Sequence, residues 1–169
     1  MSDVRSAAAA LERRPSHEGV PYERYTDEMW SQIDGRLPGF GPSWLRQLSK
    51  DFRLGGACFQ LKVDSNSWTG RCIIPRPSSA LFAIYHADTA WAIEGLFKHR
   101  FVCFADGRDG YGWVFRDDGN PDPDVFFFEQ SAWDGGEASE SNGLLRVGMT
   151  FSELLSFGSS WAPGEAAAR

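Results

Sequence analysis

The stretch "FVCFADGRDGYGWVFRDDGNPDPDVFFFEQ", residues 101–130, constrains this chain more than any other. Three runs rich in aromatic and β-branched residues, "FVCF", "YGWVFR" and "VFFFEQ", are separated by two loops dense in Asp, Gly and Pro. Such side chains suit a pleated, half-buried surface, and Asp-Gly and Pro-Asp steps reverse the chain. The stretch predicts an antiparallel meander. A sheet of this kind must bury a face, so the remaining sequence has to supply a covering layer.

Helical patterns supply it. "TDEMWSQID" predicts a short helix with Thr26 as its cap and Met29, Trp30 and Ile33 on one face. In "LPGFGPSWLRQLSKDFRLGG" the spacing of Trp44, Leu45, Leu48 and Phe52, with Pro42 before and Gly55-Gly56 after, predicts an amphipathic helix over about 42–54. "ACFQLKV" and "WTGRCIIP" alternate as strands and are placed to pair as a hairpin. Residues 80–86 of "ALFAIYHADTAWAIEGLFKHR" read as a strand, and Trp91, Ile93, Leu96 and Phe97 fit either a helix or an irregular crossing. Near the end, Thr150 and Glu153 form a capping box with Met149 and Leu154 at the staple positions, predicting a closing helix over about 151–157.

The expected architecture is therefore a single α+β domain: an antiparallel sheet of about five or six strands with helices packed on one side. Residues 1–24 read as a lead-in that can be helical, 25–158 as the domain, and 159–169 as a tail into which Trp161 can tuck back. Seven Trp and thirteen Phe supply the apolar area for one core. The formal charge of −6 disfavours a phosphate-binding surface and so direct nucleic-acid binding, while it favours a basic protein partner. No stretch reaches membrane-span length and the start lacks a signal-peptide core, so a cytoplasmic location is expected. Cys58, Cys72 and Cys103, odd in number and without CxxC spacing, read as buried reduced thiols.

The aspartates raise the question of chemistry. Asp118, Asn120, Asp122, Asp124 and Glu129 fall on positions 1, 3, 5, 7 and 12 of a calcium-loop template. Pro123 stands where that template needs glycine, and the flanks read as strands rather than helices, which favours a solvated hairpin turn. Asp106 and Asp109 sit on an Asp-Gly turn where burial would not shift their proton affinity, a poor setting for acid/base work. His86 and Asp88 form an HxD pair without the further ligands of a zinc site. No cofactor or metal is expected. A hydrolase built on His86, Asp88 and the 105–110 loop would require those side chains to converge in one pocket.

The order of the parts resembles the SUKH superfamily, which includes the yeast cell-wall-assembly regulator and many bacterial immunity proteins. The similarity is carried by Leu37-Pro38, Gly55-Gly56, Phe104-Ala105-Asp106-Gly107, Val125-Phe126-Phe127 and the segment from Thr150 to Leu155, and spans about residues 37–157. "FRLGG" stands where that family more often has Asn-Gly-Gly, and the stretch from Gly56 to Trp91 aligns poorly. The resemblance implies an α+β fold, no catalytic residues, and binding and neutralisation of a cognate toxin, often a nuclease. A regulatory scaffold of the same fold is the alternative. On this reading the partner-facing candidates are Asp106, Asp109, Asp117, Asp118, Asp122 and Asp124, with Trp133, or Trp68, as an aromatic anchor.

Overall fold

The computed structural model describes residues 2–16, 19–62, 69–108 and 110–162. In chain order the elements are α1 (Ser2–Arg13), α2 (Asp27–Arg36), α3 (Ser43–Asp51), β1 (Cys58–Lys62), β2 (Thr69–Ile73), α4 (Pro77–Tyr85), α5 (Ala87–Lys98), β3 (Phe101–Arg108), β4 (Tyr111–Arg116), β5 (Asp124–Glu129), β6 (Leu144–Thr150) and α6 (Phe151–Ser160). The strands form one antiparallel sheet in the order β1-β2-β3-β4-β5-β6, curled into a half-barrel. The fold is a single-domain α+β architecture. Among the described residues no helix is long and apolar enough to cross a membrane.

The alternation along the strands assigns the two faces. Trp113 and Phe115 of β4 and Val125 and Phe127 of β5 enter the larger core, whereas Val114, Phe126 and Phe128 point to a smaller second cluster. The larger core is closed by α1, α2, α3 and α6. On the other face Ala92 and Leu96 of α5 join Trp133, Ala138 and Leu144. Because Ile93 and Phe97 of α5 pack on the larger core, this helix straddles the sheet margin and touches both layers.

One segment differs from the sequence expectation. Residues 80–86 are helical through Tyr85 rather than extended. Pro77 opens that helix at a position where its missing N–H costs no bond. The unbroken apolar run "ALFAIY" that reads as a strand is instead a helix apolar on most of its circumference. The N-terminal lead-in, which the sequence allows to be helical, is a helix seated on the fold: Val4, Ala7, Ala8 and Leu11 are buried, and α1 packs along α6. Small residues at spacings of three and four let the two helices approach closely. Arg14 follows, donating to the Gly158 carbonyl at 2.9 Å, with its guanidinium 4.9 Å from the ring of buried Trp161.

The sheet has one weak seam. β2 and β3 share a single paired position, Ile73 with Asp106, because the chain leaves the sheet between them to form α4 and α5. A side chain reinforces the seam: Trp113 of β4, fully buried, donates its indole N–H to the Arg71 carbonyl of β2 at 2.8 Å. Its ring lies edge-on to Phe127 at 5.0 Å. Trp113→Phe keeps most of the apolar bulk and leaves that carbonyl unpaired. It is expected to lower stability by about 1–3 kcal/mol in urea unfolding, and an unchanged midpoint would show that the seam does not need the bond.

Candidate functional site

A cavity of about 300 Å³ opens between the sheet and the α4–α5 pair. Its floor is the start of the meander, from Cys103 to Asp106, together with Phe128. Irregular pairing shapes that floor: register shifts between Cys103 and Ala105 and between Asp106 and Arg108 mark bulges, which re-aim side chains. Gly112 on β4 keeps the floor open, since a Cβ there would stand 3.2 Å from the Cys103 sulfur. The Cys103 thiol is pushed up to about 12, by burial first and by the nearby Asp106 charge second, so it remains a neutral thiol on the cavity wall.

The far wall is built by α2 and α3 around Trp30. Its indole N–H donates to Ser49 Oγ at 3.1 Å, and the Arg46 guanidinium lies 5.0 Å from its ring. Arg46 in turn donates to both Asp34 carboxylate oxygens, at 2.6 and 2.7 Å, and to the carbonyls of Phe40 and Gly41. This fork-to-fork pair fixes α2 against α3. The hydrogen bonds from Arg46 hold the Asp34 carboxyl below its usual range, against an opposing push from burial.

The roof is α4, tied at its two ends. Arg76, its cap residue, pairs with Glu23 at 2.6 Å, and the Tyr85 hydroxyl donates to the Gln32 carbonyl at 2.9 Å. Ala80, Ala83 and Ile84 face the cavity, while Phe82 and Tyr85 are 65% and 58% exposed on the outside. On α5, Trp91 is 48% exposed and stacks on Trp133 at 5.4 Å.

The residues nominated from the sequence do not share one surface. Asp106, itself exposed, lies on β3 and lines the cavity, paired across to Gly112. Asp117, Asp118, Asp122 and Asp124 belong to the β4–β5 turn at the opposite end of that strand, about 17 Å away along β4 at about 3.4 Å per residue. Asp109 and Trp68 lie outside the described residues. Trp133 is only 7% exposed: its N–H donates to the Gly136 carbonyl at 2.9 Å, and it is wedged against Phe128 and Gly95. It therefore supports Trp91 from beneath, and Trp91 is the ring that solvent meets.

The β4–β5 turn is wired internally. Asp118 accepts from the Asn120 N–H, and Asn120 accepts from the Asp122 N–H, both at 3.0 Å. Asp122 accepts from both the N–H and the hydroxyl of Ser152 at 2.7 Å, while the Pro123 carbonyl accepts from the Phe151 N–H. Together with the capping box of Thr150 and Glu153, these bonds satisfy the donors of the first turn of α6. Asp122 is thus a cap for another element, a role that no local pattern around residue 122 announces. Asp118 and Asp124 remain exposed. The calcium template is not adopted, because Asp124–Glu129 runs extended as β5 and carries Glu129 about 17 Å along the strand from Asp124. Among the described residues, no three His, Cys, Asp or Glu side chains are grouped so as to hold a metal ion.

The residues named for a hydrolase are described only in part. The His86 ring packs on Phe82 at 4.8 Å and does not line the cavity, and the Asp88 side chain lies outside the described residues. No protein-family model matches the chain, and no curated protein or solved structure shows a significant match.

Two measurements probe these assignments. Asp122→Ala removes both bonds to Ser152 and should destabilise by about 1–3 kcal/mol in urea unfolding. A variant as stable as the parent would show that the carboxylate caps nothing. The folded Asp34 carboxyl lies below its unfolded value near 4, so the pair with Arg46 contributes fully above that value and is lost as pH falls through the folded one. Asp34→Asn should accordingly flatten the fall in stability as pH drops below the unfolded carboxyl value near 4, and identical pH profiles for parent and variant would refute this.

Proposed function

We propose that this chain is an immunity protein, a protein-binding module that acts in the cytoplasm and neutralises a cognate bacterial toxin by stoichiometric occlusion. The order of the motifs from Leu37-Pro38 to the Thr150–Leu155 segment supports the family reading. The observation that carries the binding role is the β4–β5 turn. It presents Asp118 and Asp124 to solvent on a hairpin fixed by its own side-chain bonds and anchored to α6 through Asp122.

A surface ordered before contact loses little conformational freedom on binding. Fixed carboxylates on a chain of net charge −6 also steer a basic partner into register. A toxin that cuts nucleic acid is a partner of this kind, because gripping phosphates requires a surface rich in Lys and Arg. Occlusion needs no turnover, so this role makes no demand for converged catalytic groups.

The test is co-expression with the polypeptide encoded by the adjacent gene. A one-to-one complex that survives purification and lacks the toxin's activity is expected. The double variant Asp118→Lys/Asp124→Lys should slow association about tenfold at low salt, with the difference shrinking as salt rises. Failure of any neighbouring gene product to bind, or association unchanged by the charge reversal, would count against the proposal.

A further inference from the structure

A surface helix of a globular protein turns an apolar stripe to the core and carries charged and polar residues on the opposite side, whereas a helix apolar on all sides belongs in an interior. α4 departs from that pattern. From Pro77 to Tyr85 it reads "PSSALFAIY", with no Asp, Glu, Lys, Arg or His, in a chain of which 24% is charged. Its inner side faces the cavity through Ala80, Ala83 and Ile84. Its outer side presents Ser78, Phe82 and Tyr85, spaced i, i+4 and i+7, as one exposed stripe. Phe82 and Tyr85, at 65% and 58%, are the most exposed large apolar side chains among the described residues.

Both rings are held in place. The Tyr85 hydroxyl donates to the Gln32 carbonyl at 2.9 Å, and the Phe82 ring packs on His86 at 4.8 Å, so neither has much rotamer freedom to lose on burial. At about 150–250 Å² for a whole aromatic side chain, their exposed parts offer about 250 Å². That is roughly a third of the ~800 Å² each partner gives to a standard interface, which places the contact at the weak, concentration-dependent end. Charge selects the occupant. Two copies of a chain of net charge −6 repel one another, so a contact between them is best placed on an element without charge, and α4 is one. A basic partner gains nothing from a face that carries no carboxylate. The stripe also complements itself. With two α4 helices antiparallel about a two-fold axis at Phe82, the small Ser78 of each copy stands opposite the Tyr85 end of the other.

We propose that the outer face of α4 is a self-association surface, on which a second copy of this chain docks antiparallel through Phe82 and Tyr85 to form a two-fold dimer. The inference makes no use of the acidic β4–β5 turn and stands apart from the toxin-binding role.

Sedimentation velocity on the full chain alone, from about 5 to 200 μM, should show a reversible equilibrium between monomer and dimer without larger species. Phe82→Glu brings two carboxylates together at the two-fold axis and should weaken the dimer at least about thirtyfold, with the circular dichroism spectrum and thermal midpoint kept. Phe82→Ser, which adds no charge, should weaken it about tenfold and serves if the first variant does not fold. Leu145→Glu, at an exposed apolar position on the edge strand β6, should leave the equilibrium unchanged. The proposal fails if the parent is monomeric over the whole range, if the Phe82 variants dimerise as the parent does, or if Leu145→Glu abolishes the dimer. It fails equally if Phe82→Glu disrupts only the complex with the adjacent-gene polypeptide, which would assign α4 to that partner. Failure of that polypeptide to bind would leave the dimer measurement as it stands.

Discussion

The indole of Trp113 joins two parts of a sheet that backbone pairing barely connects. β2 and β3 meet at one paired position, so the β1–β2 hairpin would be free to swing against the meander without a second tie. Trp113 supplies it from the middle of β4, reaching past β3 to the Arg71 carbonyl while its ring packs against Phe127. A single fully buried side chain thus serves as core packing and as a cross-strand bond. In a buried setting the unmade bond costs more than the made bond contributes, which fixes the orientation of the ring. The cavity follows from the same seam. The chain leaves the sheet there to build α4 and α5, and these helices return as a roof over strands they do not pair with.

What the sequence makes legible is what depends on neighbours in the chain. The meander from Phe101 to Glu129 is readable because its strands carry alternating large side chains and its turns carry Asp, Gly and Pro. The start of α6 is readable because both halves of the capping box lie within four residues. The run "ALFAIY" misleads because an unbroken apolar segment has neither a period of two nor one of 3.6, and only Pro77 hints at a helix start. The helical character of α1 is readable but its burial is not: alanines at helical spacing are ordinary in any exposed helix, and the groove along α6 that buries them is set by residues some 150 positions later.

The candidate site was still less legible. Its lining is gathered from Tyr25 to Phe151, so no local window contains its pattern. The acidic residues were visible as a group and were sorted only by the fold. Composition cannot distinguish Asp118, which faces solvent, from Asp122, whose oxygens are both committed to Ser152 thirty residues away. A carboxylate that caps a distant helix looks in sequence like one that waits for a partner, because both are Asp in a Pro- and Gly-rich turn.

The two ends of β4 are consequently built on opposite principles. At the β4–β5 end, short side chains bond to the nearest backbone and lock the turn onto α6, leaving a charged surface that is rigid before anything touches it. At the β3–β4 end, bulges and a glycine leave space that is covered by a helix tied at its extremities, with large rings on its outside. Rigid charge favours fast and selective capture of a large partner, whereas uncharged rings suit contact with a second apolar surface.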